Sequence, residues 1–134
     1  MISYLALDVG RARIGVAVAN DVARIAGPLP ALANDDSFRQ KLEILIKEHD
    51  AAAVIVGWPR GLEGQETEQT QYVSEFVDVL ESWLDLPVHL QDEAATSLKA
   101  EAELKRRGVP YEKGDIDSLS AVYILEDYLT EGVH

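Results

Sequence analysis

Cysteine is absent from this chain of 134 residues, which excludes a disulfide framework and a zinc site with thiolate ligands. No apolar run approaches the roughly 20 residues needed to cross a bilayer. The N-terminus lacks the basic region and long apolar core of a signal peptide. Lys and Arg are missing from residues 61–91 and 115–134, which hold seven and five acids and so account for the net charge of −12. We therefore expect a cytoplasmic protein with a well-solvated acidic surface and no membrane segment.

The residues that are present favour one folded α/β domain over 1–134. Apolar residues make up 47% of the chain, which is enough for a sizeable core at this length. A strongly acidic protein is unfavourable for binding phosphate. The basic residues outside the two acidic segments can still form a local basic rim. Eight of the twelve are candidates for this rim: Arg11, Arg13, Arg60, Lys99, Lys105, Arg106, Arg107 and Lys113.

The apolar periodicity predicts alternating strands and helices without internal repeats. Strands are predicted over 3–9, 13–20, 51–56 and 86–91, and a short edge strand over 25–32, where Pro28 and Pro30 interrupt the pattern. Helices are predicted from the Asp35-Asp36-Ser37 cluster to about His49, and over 67–84, 94–107 and 115–129. This order indicates a mixed sheet flanked by helices and joined by right-handed crossovers.

Acidic residues stand where the predicted strands end. Asp8 closes the first strand, Asp92-Glu93 follow the last one, and Asp117 lies near the start of the final helix. Ligands of open α/β sheets bind at the carboxyl ends of the strands. Three carboxylates from distant segments can hold Mg²⁺ or Mn²⁺ for phosphodiester cleavage.

Four motifs, in order along nearly the whole chain, carry a family resemblance. They are Leu7-Asp8-Val9-Gly10 with Arg13-Ile14-Gly15-Val16-Ala17, Val56-Gly57-Trp58-Pro59 with Gly64 and Glu66, Asp92-Glu93 with Thr96, and Ile116-Asp117 with Ala121-Val122 and Ile124-Leu125. The chain resembles the YqgF family of small bacterial proteins, which are described as Holliday junction resolvases and as pre-16S rRNA nucleases. The resemblance implies the ribonuclease H-like fold, a mixed β-sheet flanked by helices.

The same resemblance implies a metal-dependent nuclease that processes the 5′ end of pre-16S rRNA. The alternative is a Holliday junction resolvase in DNA recombination and repair. Asp8, Glu93 and Asp117 match the family's catalytic triad and would hold Mg²⁺ or Mn²⁺. The substrate would be structured RNA or branched DNA, and the protein a monomer or weak homodimer. The cations that we expect to contact the substrate are Arg11, Arg13, Arg60 and Lys99.

Two departures from the family pattern remove positive charge near this site. Ala94 stands where the family usually has Arg, and Ala12 stands where it usually has a basic residue. Fewer phosphate contacts predict weak, salt-sensitive activity. A non-catalytic nucleic-acid-binding module therefore remains an alternative.

Each acid also has a structural interpretation. Asp8 can cap the turn that follows it, and Glu93 can serve as a helix N-terminal acid favoured by the helix dipole. Asp92 is expected to cap that helix rather than bind metal. Asp115 competes with Asp117, which we favour because an apolar stripe continues from it.

Other residues are open to two interpretations as well. Arg13 binds phosphate or pairs with a surface acid. Trp58 is expected to pack on the core rather than stack on a base. The run Lys105-Arg106-Arg107 suits a helix C-terminus.

The Asp8 hairpin also resembles the first phosphate loop of the actin, Hsp70 and sugar-kinase superfamily. Those proteins close a second domain over ATP. We expect no second domain within these 134 residues, and therefore no ATPase or kinase activity.

Overall fold

The computed structural model describes residues 1–61, 63–93 and 96–131, which form a mixed sheet with helices on both faces. The strands are β1 (Ser3–Val9), β2 (Arg13–Asn20), β3 (Gly27–Ala33), β4 (Ala51–Pro59) and β5 (Val88–Glu93). The helices are α1 (Phe38–His49), α2 (Glu68–Trp83), α3 (Thr96–Arg107) and α4 (Lys113–Thr130). None of the described helices is long and apolar enough to cross a membrane.

The strand order is β3-β2-β1-β4-β5, with β1, β2 and β3 antiparallel and β1, β4 and β5 parallel. The proline-containing β3 lies at an edge, as predicted, because proline cannot donate to a central ladder. Leu7 lies opposite Val56, and Trp58 opposite Asp92. The carboxyl ends of the three parallel strands therefore meet at one end of the sheet.

Alternation along β1 divides the core between the two faces of the sheet. Leu5, Leu7 and Val9 point to the face covered by α1 and α2. Tyr4 and Ala6 point to the opposite face, which α4 covers. Small residues dominate the strands on the α4 side, so that helix approaches the sheet closely.

Pairing between β4 and β5 changes two predicted boundaries. β4 continues to Pro59 instead of ending at Val56, and β5 continues to Glu93 instead of ending at Gln91. Trp58 pairs with Asp92 and Pro59 with Glu93. The prediction that Asp92 caps the next helix is therefore wrong, because Asp92 lies inside a strand.

Among the helix starts that the structure describes, those of α2 and α4 form capping boxes, in which side chains accept hydrogen bonds from otherwise unpaired backbone N–H groups. Thr67 and Thr70 form the box of α2, and Glu112 and Asp115 form that of α4. Asp115 thus belongs to the helix cap, whereas Asp117 lies in the following turn. The Asp35-Asp36-Ser37 cluster precedes α1, as predicted, but no side chain caps the helix. Asp35 instead accepts a hydrogen bond from the backbone N–H of Ser37.

Candidate nuclease site

A cavity of about 260 Å³ lies at the carboxyl ends of β1, β4 and β5. The three predicted acids Asp8, Glu93 and Asp117 all line it, each from a different element. Arg60 and the exposed Leu98 also border it. The remaining lining residues are Val9, Gly10, Gly57, Pro59, Gln69, Val73 and Ile124.

Glycine in β2 brings Asp117 towards Asp8. Gly15 pairs with Asp8 across the hairpin, so the two residues share the face that α4 covers. A Cβ at Gly15 would overlap the backbone of Asp117 and Ser118. Because Gly15 has no side chain, the first turns of α4 rest directly on β2.

Ser118 anchors the same turn of α4 across two strands. Its hydroxyl donates to the carbonyl of Leu29 in β3 at 2.6 Å and accepts from the N–H of Val16 in β2 at 3.3 Å. The β2–β3 register shifts between Ile14 and Val16, and Ser118 lies at this irregularity. Ser118 therefore sets the position of the neighbouring Asp117. Its role was missed in the sequence, where it is one serine in an apolar helix.

The start of α2 closes another wall of the cavity. Gln69 donates from Nε2 to the carbonyl of Val9 at 2.8 Å, which ties α2 to the end of β1. The hydroxyl of Thr70 donates to the carbonyl of Pro59, which ties α2 to the end of β4. Both strand ends are thereby held in place around the acids.

Asp8 has a strongly raised pKa. Burial, and after it the negative charge of Asp117, raises the pKa of Asp8 from 3.8 to about 7, while the nearby Ser120 side chain lowers it. A carboxyl with such a pKa is expected at a functional site, because burying a charge is otherwise unfavourable.

Glu93 interacts with a different set of groups. Burial, followed by a hydrogen bond with Asp127 and the charge of that residue, raises the pKa of Glu93 to about 8. The charge of Glu131 adds to this rise and that of Lys99 opposes it. Glu93 therefore lines the cavity while its carboxyl shares a proton with the far half of α4.

Each of the four cations predicted to contact the substrate already has a partner, and Arg60 is the one among them that lines the cavity. Arg13 donates from Nε to Asp117 Oδ2 at 2.9 Å. Arg60 pairs with Asp92, with 3.2 Å between Nε and Oδ1. Arg11 forms a cation–π contact with the ring of Tyr72, and Lys99 forms one with the ring of Tyr123.

Three further residues of the predicted basic rim form ion pairs within their own helix, α3. Lys105 pairs with Glu101, and Arg106 and Arg107 both pair with Glu103. These contacts agree with the structural interpretation of this run. Trp58 packs on the core, as expected. Ala94 and His134 lie outside the described residues.

The donor chemistry of the cavity fits a divalent cation. Carboxylate oxygens are the ligands that Mg²⁺ and Mn²⁺ prefer, and the repulsion between Asp8 and Asp117 is one that a cation would relieve. Within 1–61, 63–93 and 96–131, however, no three acidic, His or Cys side chains are grouped closely enough to hold a metal. Asp8 and Asp117 form the close pair, and Glu93 is turned towards Asp127.

Comparison with known proteins places the chain among nucleases and resolvases. A family model described as RuvX, Holliday junction resolvase, matches residues 2–131. A protein of Sulfurihydrogenibium sp. (strain YO3AOP1), named "Putative pre-16S rRNA nuclease", is 40% identical over 131 residues, which is 96% of this chain and 90% of that protein. A protein of the same name from Chloroflexus aurantiacus (strain ATCC 29366 / DSM 635 / J-10-fl) is 40% identical over 129 residues, 93% of this chain and 84% of that protein.

Among solved structures, the fold is similar to that of T. thermophilus RuvC in complex with a Holliday junction substrate. The TM-score is 0.56 at 14% identity, and the match covers 98% of this chain and 95% of that one. This likeness confirms the predicted ribonuclease H-like fold. The sequence relatives confirm the resemblance that the four motifs indicated.

Proposed function

Because this chain belongs to the RuvX family of Holliday junction resolvases, we propose that it is a metal-dependent nuclease acting on precursor 16S rRNA. The observation that carries the proposal is the cavity that Asp8, Glu93 and Asp117 line from β1, β5 and α4. The RNA substrate is supported by relatives named for pre-16S rRNA that are 40% identical over most of this chain.

Each acid would have a distinct part in holding the cation. When bound, Mg²⁺ or Mn²⁺ would supply the Lewis acid and the activated water that phosphodiester hydrolysis needs. Asp8 and Asp117 would be its first ligands, because they already lie close enough to raise the pKa of Asp8. Glu93 would complete the set after releasing the proton that it shares with Asp127.

The cations would orient the substrate. Arg13 pairs with Asp117 through the contact between Nε and Oδ2, so a cation bound to Asp117 would release its guanidinium for a phosphate. Arg60 borders the cavity and is 42% exposed, so its guanidinium can exchange Asp92 for a phosphate. The few cations at the cavity predict weak binding of the substrate.

The test is a cleavage assay with a 5′-extended 16S precursor RNA and a four-way DNA junction, each in Mg²⁺ or Mn²⁺. We expect cleavage of the RNA, loss of cleavage in EDTA, and a rate about 10²–10³ lower for Asp8→Asn. Asp85→Asn, which changes an exposed acid at the far end of α2, serves as the matched control. Calorimetric titration with Mn²⁺ measures metal binding independently of cleavage.

The second candidate is junction resolution, which the family description favours. Cleavage of the DNA junction in preference to the RNA would assign that activity instead. Binding of RNA without cleavage of either substrate would assign a non-catalytic module. Equal cleavage by wild type and Asp8→Asn would identify a contaminating nuclease and contradict the proposal.

A further inference from the structure

A second concave surface lies on the opposite face of the sheet from α4. It is a groove of about 410 Å³ between α1 and α2, larger than the cavity that holds the acids. We refer to it as the α1–α2 groove. Its lining residues are Asn34, Asp35, Asp36, Phe38, Arg39, Tyr72, Glu75, Phe76, Val79, Leu80 and Trp83.

The α2 wall of this groove is a continuous apolar stripe. Tyr72, Phe76, Val79 and Trp83 follow one another at spacings of four, three and four residues, which places them on one side of the helix. The ring of Phe76 packs edge to face on Phe38 of α1, with centroids 5.5 Å apart. Val79 is nevertheless 63% exposed, so part of the stripe remains open to solvent.

Negative charge surrounds the stripe. Residues 61–91, which include all of α2, hold seven acids and no Lys or Arg. Glu75 lines the groove from α2, and Asp35 and Asp36 line it from the loop before α1. Among the described lining residues the one cation is Arg39, whose guanidinium lies 4.9 Å from the ring centre of Trp83.

The combination of aromatic surface and acidic rim selects the chemistry of the occupant. Phosphate groups would meet the three acids Asp35, Asp36 and Glu75, whereas the two nearby cations, Arg39 and Arg11, already lie over the rings of Trp83 and Tyr72. Nucleic acid is therefore disfavoured. An apolar groove between two helices suits an amphipathic helix whose apolar side chains repeat every three or four residues. Lys and Arg on the flanks of such a helix would meet the acids of the rim.

We propose that the α1–α2 groove is a docking site for a basic amphipathic helix of a partner protein. The apolar face of that helix packs on the stripe of α2, and its basic flanks pair with Glu75, Asp35 and Asp36. The groove and the carboxylate cavity share no lining residue, so the partner and the nucleic acid bind at the same time. The inference does not depend on the proposed nuclease activity.

The probe is a synthetic peptide of Leu and Lys, about 18 residues or five helical turns long, with Leu on one face. A second peptide has the same composition in scrambled order, which removes the apolar face and keeps the charge. Binding is measured by fluorescence anisotropy of the labelled peptides. In the Trp58→Phe background, Trp83 is the remaining tryptophan of the two, so its emission reports occupation of the groove directly.

Two variants test the apolar and the charged parts separately. Val79→Glu places a charge on the exposed part of the stripe, and Val22→Glu, at a position that is 74% exposed in the β2–β3 connection, is its control. Glu75→Lys changes the charge of the rim, and Glu126→Lys, on α4 at the opposite face, changes the net charge equally. Circular dichroism verifies that each variant is folded.

We expect the patterned peptide to bind wild type at least about tenfold more tightly than the scrambled one and to shift the emission of Trp83 to shorter wavelength. Val79→Glu and Glu75→Lys should each weaken binding about tenfold, and the two controls should leave it unchanged. Equal binding of both peptides would overturn the proposal, because charge alone would then explain the interaction. The groove would be assigned to nucleic acid instead if a single-stranded RNA shifts the emission of Trp83 and Val79→Glu abolishes RNA binding while leaving peptide binding unchanged.

Discussion

Replacing Asp8 by Asn removes a buried carboxyl whose ionisation opposes folding. Burial, and then the charge of Asp117, raises the pKa of Asp8 from 3.8 to about 7 in the folded chain. At a pH between these two pKa values, Asp8 keeps its proton in the folded protein and has released it in the unfolded chain. The free energy of unfolding of the metal-free protein therefore decreases as the pH rises from about 4 to about 7, and the full decrease is present above pH 7.

The size of the effect follows from the same pKa. A tenfold change in a dissociation constant corresponds to about 1.4 kcal/mol. Ionisation of Asp8 therefore lowers the free energy of unfolding by at most about 4 kcal/mol at pH 8 and by about 2 kcal/mol at pH 5. Asn is neutral at both pH values. Asp8→Asn should therefore stabilise the metal-free protein, and more strongly at pH 8 than at pH 5.

Urea denaturation in EDTA at pH 5 and pH 8 measures this difference for wild type, Asp8→Asn and Asp85→Asn. The control removes one negative charge from an exposed position and thus reports the general effect of reducing the net charge of −12. The reasoning is refuted if Asp8→Asn is no more stable than Asp85→Asn at pH 8. It is also refuted if the gain in stability is the same at both pH values.

Three further variants probe how Asp117 is positioned. Gly15→Ala should destabilise the protein by about 1–3 kcal/mol and lower the cleavage rate, because its Cβ would overlap the backbone of α4, whereas Gly27→Ala, whose Cβ meets nothing within 4 Å, should be nearly neutral in the same urea titration. Ser118→Ala leaves two strand backbone groups without their hydroxyl partner, and thermal unfolding should show a loss of about 1–3 kcal/mol; an unchanged melting temperature would contradict this role. Arg13→Gln removes the cation that pairs with Asp117, so calorimetry should show several-fold tighter Mn²⁺ binding, and weaker binding would mean that Arg13 supports the metal site rather than competing with it.

The elements at the start of the chain were predictable because their patterns are local. The alternation in 3–9 and 13–20 matches β1 and β2 residue for residue, and the two prolines correctly placed β3 at an edge. Gly108, with φ of +72°, ends α3 as its position after a basic run indicated. In each case neighbouring residues alone determine the backbone conformation.

The end of β5 was not predictable from local pattern. Asp92 and Glu93 read as loop or helix-cap residues, since acids are uncommon in strands. Parallel pairing with the extended β4 draws both into the sheet. That pairing sets the alternation of β5, so that Glu93 faces α4 and lines the cavity while Asp92 pairs with Arg60 on the other side.

The amino-acid sequence by itself determined which acids are candidates and which strands end beside them, because strand ends and family motifs are encoded in short runs of residues. Only the tertiary structure decided how the acids interact. Asp8 meets Asp117 because Gly15 and Ser118 seat α4 on β2, a contact between residues about a hundred positions apart in the chain. Glu93 shares its proton with Asp127 and Arg13 pairs with Asp117 for the same reason. Charge interactions act over distances in space, and the spacing of residues along the chain does not specify those distances.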